Sequence, residues 1–466
     1  MPNASCAKRS AARHERAARH LLMHEETVWW YLIVGGVLIF MGVAATTFKR
    51  LPLSAAMLYL VIGYALGPSG LGLLQLDLAR DAHVLRPVTE VALLVSLFAI
   101  GLRLRLPLFA PMWTLPLRLG FVAMVLTIPL LTLVGALLLD LDWGPSLLLA
   151  AILAPTDPVL AHDVGVQDSD DLDLLRFSLS GEGGLNDGIA LPFVLLGLAL
   201  CTSGAPHENE ASGSRIAFEA IAGIPGGLVT GGLLGWMTTK SVAWLRTRHA
   251  QALGLEGFFA LGLIGLAYGA ALLVHCNGFV AVFAAGIAMR GVEHRASGSR
   301  SAREAIGTVD SEDVVATASD PRKAHAFMAE SVLGFTIELE RIAEVVVMMI
   351  VGNVLATSGA SLFTWQSAVL IAALFIVVRP LAVEASLLGS NAAHAQRRLM
   401  SWFGIRGIGS FYYLALALES MQQRHMQDLL PLVPLTLAVI TSSVIVHGIS
   451  ATPLMNWYHR IRKPDR

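Results

Sequence analysis

Residues 181–188 read Gly-Glu-Gly-Gly-Leu-Asn-Asp-Gly, inside a run from Leu174 to Leu200 that is otherwise rich in Leu, Ile, Phe and Val. The run is long enough to cross a bilayer as a helix, yet its middle carries two carboxylates and an amide. An acid in hydrocarbon is costly, so intramembrane ionisable residues mark ion or proton sites by default.

The composition around that run fits a membrane protein. The 466 residues are 55% hydrophobic and 14% charged, with a mean hydropathy of +0.65, where soluble domains carry about a quarter charged residues. Hydrophobic runs of about 17–25 residues begin near Val28, Leu53, Val88, Leu117, Ser146, Leu174, Ile216, Leu255, Asn277, Glu330, Phe363, Ser401 and Leu430. The expected fold is all-α and polytopic, with about 13 transmembrane helices. The three cysteines, Cys6, Cys201 and Cys276, have neither metal nor disulfide spacing. No dinucleotide or phosphate-binding glycine loop occurs, so no cofactor and no nucleic-acid partner is expected.

Lys/Arg bias gives the orientation. With the tail Arg460–Arg466 in the cytoplasm, loops on the opposite side hold only Arg80, Arg86, Arg215 and Arg424. The basic N-terminal stretch (Lys8, Arg9, Arg13, Arg16, Arg19) runs against this bias. Either translation begins at Met23 or a basic tail is tolerated. Three arginines, Arg341, Arg379 and Arg406, fall within spans and need partners. The polar segment 292–326 lacks apolar periodicity and reads as a mobile cytoplasmic loop.

Each helical residue advances about 100° and rises about 1.5 Å. Glu182 and Asn186 therefore share a face, while Asp187 points to a different neighbour. Gly183 and Gly184 lie one turn below Asp187 and are expected to leave room for water or an ion. In the preceding span, Ala154-Pro155-Thr156-Asp157-Pro158 places two prolines around a polar pair. Each proline lacks an amide hydrogen and clashes with the carbonyl four residues back, which predicts an unwound segment at membrane depth. Asp157 can compensate the positive end of the half-helix that follows. Late in the chain, Trp402-Phe403-Gly404-Ile405-Arg406-Gly407-Ile408-Gly409-Ser410 is a second interrupted span, where Arg406 could neutralise a half-helix C-terminus. Paired broken helices in two halves point to the midplane site of a secondary transporter. Arg379, in Val378-Arg379-Pro380, stays charged when buried, and Glu182 is its strongest candidate partner. Glu338, Glu340, Arg341 and Glu344 read as an interfacial charge cluster; His162, His275 and His447 read as ordinary packing.

Four motifs, Thr156-Asp157-Pro158, the run 181–188, Arg379-Pro380 and the run 404–410, occur in an order and spacing that resemble NhaP/NHE-type cation:proton antiporters, over roughly Val28 to Met455. The resemblance implies a homodimer with an inverted-repeat fold and two crossed, broken helices. It assigns residues 1–27 to a tail, 28–116 to scaffold and dimerisation helices, 117–201 to the core helices of a first repeat, and 216–290 to further scaffold. A cytoplasmic loop (291–326), a scaffold helix (327–356), the core helices of a second repeat (363–452) and a basic cytoplasmic tail (453–466) would follow. By motif, Asp187 would bind the ion or the proton, Thr156 would contribute to the cation site, Asn186 and Asp157 would support the crossing, and Glu182 would pair with Arg379. The family commonly has Ser where this chain has Gly183, which weakens the case for Na⁺ against K⁺.

The implied activity is exchange of a monovalent cation for protons across the cell membrane, with no enzymatic chemistry. Asp187 would hold a proton or a cation but not both. With Asn rather than Asp at 186, a single acid titrates and exchange is expected to be electroneutral. A cation channel or a proton-coupled solute transporter on a related fold is the alternative.

Overall fold

The computed structural model describes residues 28, 31–40, 42–43, 54–107, 110–161, 164–202, 213–249, 254–298, 300–307, 314–424 and 429–462. The N-terminal tail expected at 1–27 lies outside the described residues. The chain forms two compact units, Met1–Ala55 and Ala56–Arg466. In the first, the described part is an apolar helix, α1 (Tyr31–Phe40).

The second unit is helical throughout, and no strand occurs among the described residues. In order come α2 (Ala55–Leu66), α3 (Leu78–Arg103), α4 (Pro111–Leu138), α5 (Trp143–Leu153), α6 (Leu174–Thr202), α7 (Gly213–His249), α8 (Glu256–Leu273) and α9 (Gly278–Ser297). Two short helices, α10 (Ala302–Ile306) and α11 (Val314–Ser319), lead to α12 (Ala324–Ser358), α13 (Trp365–Ser386), α14 (His394–Trp402), α15 (Ile408–Arg424) and α16 (Leu432–Arg462). Among the described residues, seven helices are long and apolar enough to cross a membrane.

Three sequence expectations need correction. The span expected at Val88 begins ten residues earlier at Leu78, where Asp77 Oδ1 accepts from Arg80 N at 3.0 Å and caps the helix. Arg80, Asp81 and Arg86 in its first turns masked the start. Segment 292–326 is not structureless: α9 runs on to Ser297, and α10 and α11 follow. Ala302, Ala305 and Ile306 of α10 bury themselves with Ala326 in a small apolar cluster. The interrupted late span also begins earlier, because α14 precedes the break.

One order of features occurs twice along the chain. α4 contains a π-helical turn at Arg118–Ala123, is followed by the broken helix α5, and then by the long helix α6. α13 contains a π-helical turn at Ala373–Val378, is followed by the break between α14 and α15, and then by the long helix α16. Such π-turns are rare and concentrate at functional sites.

Hydrophobic transfer does not drive helices together in lipid, so close packing of small residues carries the association. Gly227, Gly231 and Gly235 form such a stripe on α7. A Cβ on any of them would run into the backbone of Asn277, Ala281 or Ala285, at the start and along one face of α9. Gly101 of α3 and Gly286 of α9 approach equally closely: a Cβ on either would lie 2.5 Å from a carbonyl of the other helix.

Buried ion pairs join the same helices. Arg103 of α3 pairs with Glu340 of α12, and both are almost fully enclosed. Ser96 Oγ also donates to Glu340 at 3.3 Å. Glu340 is therefore not part of an interfacial cluster, whereas Arg341 and Glu338 pair on the exposed face, at 3.5 Å. Arg105 forks onto Glu293 at 2.8 and 3.0 Å, and Arg290 reaches Glu330 at 2.8 Å.

Candidate functional site: two crossed breaks around a buried aspartate

α5 stops at Leu153 because Pro155 and Pro158 cannot supply the amide hydrogens that would continue it. The amide of Asp157, which would ordinarily close the turn onto the Leu153 carbonyl, instead donates to Ile405 O in the second break at 2.7 Å. Arg406 fills the vacancy: its Nε donates to Leu153 O at 3.0 Å. A cation thus sits on the negative end of the α5 half-helix.

The second break is completed by the first. α15 begins at Ile408, and the Ile408 amide donates to Asp157 Oδ2. Asp157 Oδ1 accepts from Val159 N at 2.9 Å and Leu160 N at 3.4 Å. The expectation for both residues was a charge at a half-helix end. Arg406 does meet a half-helix end, that of α5 in the opposite repeat. Among the described residues no helix follows Pro158, so on its own side Asp157 caps only a turn, and the helix it serves is α15 of the opposite repeat. With both oxygens engaged, Asp157 is a cap.

Asn186 and Asp187 address the two breaks separately. Asn186 Nδ2 donates to Thr156 Oγ1 at 2.7 Å and reaches Thr156 O at 3.4 Å. Asp187 lies against the first turn of α15, where a Cβ on Gly409 would be 2.5 Å from Oδ1. Its side chain is 1% exposed, and neither carboxylate oxygen has a hydrogen-bond partner among the described residues. A helix N-terminus favours negative charge, which lowers the cost of holding a carboxylate there.

The space beside Asp187 does not come from the glycines expected to supply it. A Cβ on Gly183 would meet the ring of Pro158 at 2.7 Å, and one on Gly184 would collide with Phe283. These two glycines admit the first break and helix α9. Gly409 makes the room for the carboxylate.

Glu182 and Arg379 form the expected buried pair. Arg379 Nη2 donates to Glu182 Oε2 at 2.9 Å, and Nη1 donates to Oε1. Nη2 also reaches Met400 O of α14 at 3.0 Å. The pair therefore joins α6, α13 and α14 directly beside the second break, with Arg379 held just after the π-turn of α13.

Sequence reasoning missed two supports. Pro192 lies within α6 and cannot donate to the carbonyl of Gly188. Asn277 Nδ2 donates to that carbonyl at 2.7 Å, while Asn277 Oδ1 caps α9 by accepting from Val280 N at 3.1 Å. The proline four residues after Gly188 was the available signal. Tyr413 of α15 donates its hydroxyl to the Asp187 carbonyl; nothing in the sequence distinguished it from Tyr412.

A profile described as "Sodium/hydrogen exchanger, transmembrane" matches residues 36–457. The chain belongs to the sodium/hydrogen exchanger family. Among its relatives, the Na(+)/H(+) antiporter 2 of Zygosaccharomyces rouxii is 27% identical over 245 residues, covering 50% of this chain and 28% of that protein. The K(+)/H(+) antiporter NhaP of Alkalimonas amylolytica is 22% identical over 436 residues, covering 91% of this chain and 66% of that protein. This chain therefore spans less than two thirds of the length of either relative. A solved structure of a sodium proton antiporter from Methanocaldococcus jannaschii superposes with a TM-score of 0.68 at 17% identity, over 92% of this chain and 98% of that one. The likeness shows the fold.

Proposed function

We propose that the protein is a secondary transporter that exchanges a monovalent cation, Na⁺ or K⁺, for protons across a membrane, with Asp187 holding one or the other. The observation that carries the reading is the Asp187 carboxylate, enclosed beside the two breaks and without a hydrogen-bond donor among the described residues. An uncompensated charge in such a place costs several kcal/mol. The loaded site, whether protonated or cation-bound, is neutral. Movement of the site between the two membrane faces is therefore cheap only when it is occupied, and that couples the two fluxes.

Thr156 supplies cation ligands through its carbonyl and hydroxyl, and Asn186 holds that residue in place. Glu182 stays ionised against Arg379 and takes no part in the cycle. One titrating acid exchanging one proton for one monovalent cation makes the exchange electroneutral. Residues 117–201 and 363–452 form the moving core, and the remaining helices form the scaffold of a homodimer in the cell membrane, with a cytoplasmic C-terminus. The test is recovery of a trapped pH dye in proteoliposomes on separate addition of Na⁺, Li⁺ and K⁺. Cation-driven proton efflux supports exchange; cation flux without proton counterflow would indicate a channel.

A further inference from the structure

The second break is held from outside the crossing by a chain of polar contacts on α16. The Arg406 amide donates to Ser443 Oγ at 2.8 Å, and Ser443 Oγ lies 3.1 Å from His447 Nδ1. The other ring nitrogen, Nε2, lies 3.0 Å from the carbonyl of Trp402, the last residue of α14. His447 is 1% exposed, and its ring meets Phe375 and Trp402 with centroids 5.0 and 5.6 Å away. The imidazole and one serine thus grip the unwound segment at both flanks, Trp402 and Arg406.

The partner of Nε2 places a hydrogen on that nitrogen. A carbonyl only accepts, so Nε2 carries the hydrogen toward Trp402. Ser443 Oγ already accepts from Arg406, which leaves its own proton for Nδ1. The Ser443 carbonyl lies 2.9 Å from the same Nδ1. The acids at this break are engaged elsewhere: Glu182 by Arg379, and Asp157 by the amides of Val159, Leu160 and Ile408.

We propose that His447 is a positioning residue of the ion site. Through Trp402 and Ser443 it sets the path of residues 403–407, so that Arg406 reaches Leu153 and the Ile408 amide reaches Asp157. It acts on the cation through the geometry of the crossing and does not titrate during turnover. The proposal rests on the antiport reading for its transport consequence, whereas its structural consequence stands alone.

Three variants test it. His447→Phe keeps the ring volume and removes both polar contacts, His447→Gln keeps a donor for Trp402, and Ser443→Ala removes the acceptor for Arg406. In hydrogen–deuterium exchange, the amides of 403–409 should open about tenfold faster in His447→Phe, as loss of a buried hydrogen-bond link implies. His447→Gln should stay close to wild type. The half-maximal cation concentration should rise about tenfold in His447→Phe and Ser443→Ala. His447→Gln should keep wild-type affinity and an unshifted pH profile. Unchanged protection of 403–409 in both His447→Phe and Ser443→Ala would overturn the proposal. A shifted pH profile in His447→Gln would also overturn it, by making the ring a titrating group. If His447→Phe does not fold, Ser443→Ala alone decides. An Asp187→Asn control that still exchanges would defeat the antiport reading without touching the protection result.

Discussion

Asp157 and Arg406 stand in a reciprocal relation: Arg406 caps the C-terminal end of the α5 half-helix, and Asp157 caps the first amide of α15. Each charge comes from one break and completes the helix interrupted by the other. Opposite helix ends thereby receive opposite charges at membrane depth, where unpaired backbone groups would be costly. Asp187 is not consumed by this arrangement, and its carboxylate oxygens stay without a partner among the described residues.

Asp187→Asn should abolish cation-driven proton movement while the protein remains folded. The amide has nearly the same shape and loses no hydrogen bond present in the structure, since neither carboxylate oxygen has a partner among the described residues. Normal thermal unfolding in detergent with no dye recovery in proteoliposomes is the expected pair of results.

Arg379→Ala should lower stability, because it strands the Glu182 carboxylate among α6, α13 and α14. Breaking a buried pair from one side typically costs about 3–5 kcal/mol. The double change Glu182→Gln with Arg379→Ala should recover part of that loss. A melting temperature of the single variant within a degree or two of wild type, on the order expected for a surface change, would contradict the pairing.

Gly409→Ala should impair exchange, since its methyl would lie 2.5 Å from Asp187 Oδ1. Gly232→Ala, at a helical position with nothing within 4 Å of the added carbon, is the matched control and should be neutral. Equal activity of the two variants would mean that the carboxylate does not use the room beside Gly409.

The site was partly legible in the sequence, and the reason is the solvent. In hydrocarbon, Asp, Glu, Arg and clustered Pro or Gly stand out against Leu and Val, so Asp187, the Thr156–Pro158 break, Arg379 and Arg406 could be read directly. What stayed hidden were groups whose role depends on a partner far along the chain. Asn277 looked like the start of a span, and its service to Gly188 appears only when α9 meets α6. Gly183 and Gly184 sit on the correct helix, but whether a glycine faces a cavity or another helix cannot be read from its own strand of sequence. Arg103 and Arg105 fall at a helix end, where sequence gives no sign of burial, yet both are buried against acids of α12 and α9.

Exchange should be indifferent to membrane potential. Any net charge moved per cycle would couple turnover to the potential at about 2.3 kcal/mol per charge per 100 mV. Rates of Na⁺-driven exchange should match with the potential clamped at zero or set negative inside. A clear dependence would bring a second acid into the cycle, with Asp157 or Glu182 the first to examine.

The central claim is that one proton and one cation compete for Asp187. Its most direct test is the half-maximal cation concentration of exchange, measured in proteoliposomes across a range of pH. Competition for a single carboxylate predicts a half-maximal concentration that climbs as pH falls, approaching about tenfold per pH unit on the acid side, with an unchanged maximal rate. A half-maximal concentration that holds constant over the same range while the maximal rate falls would contradict it.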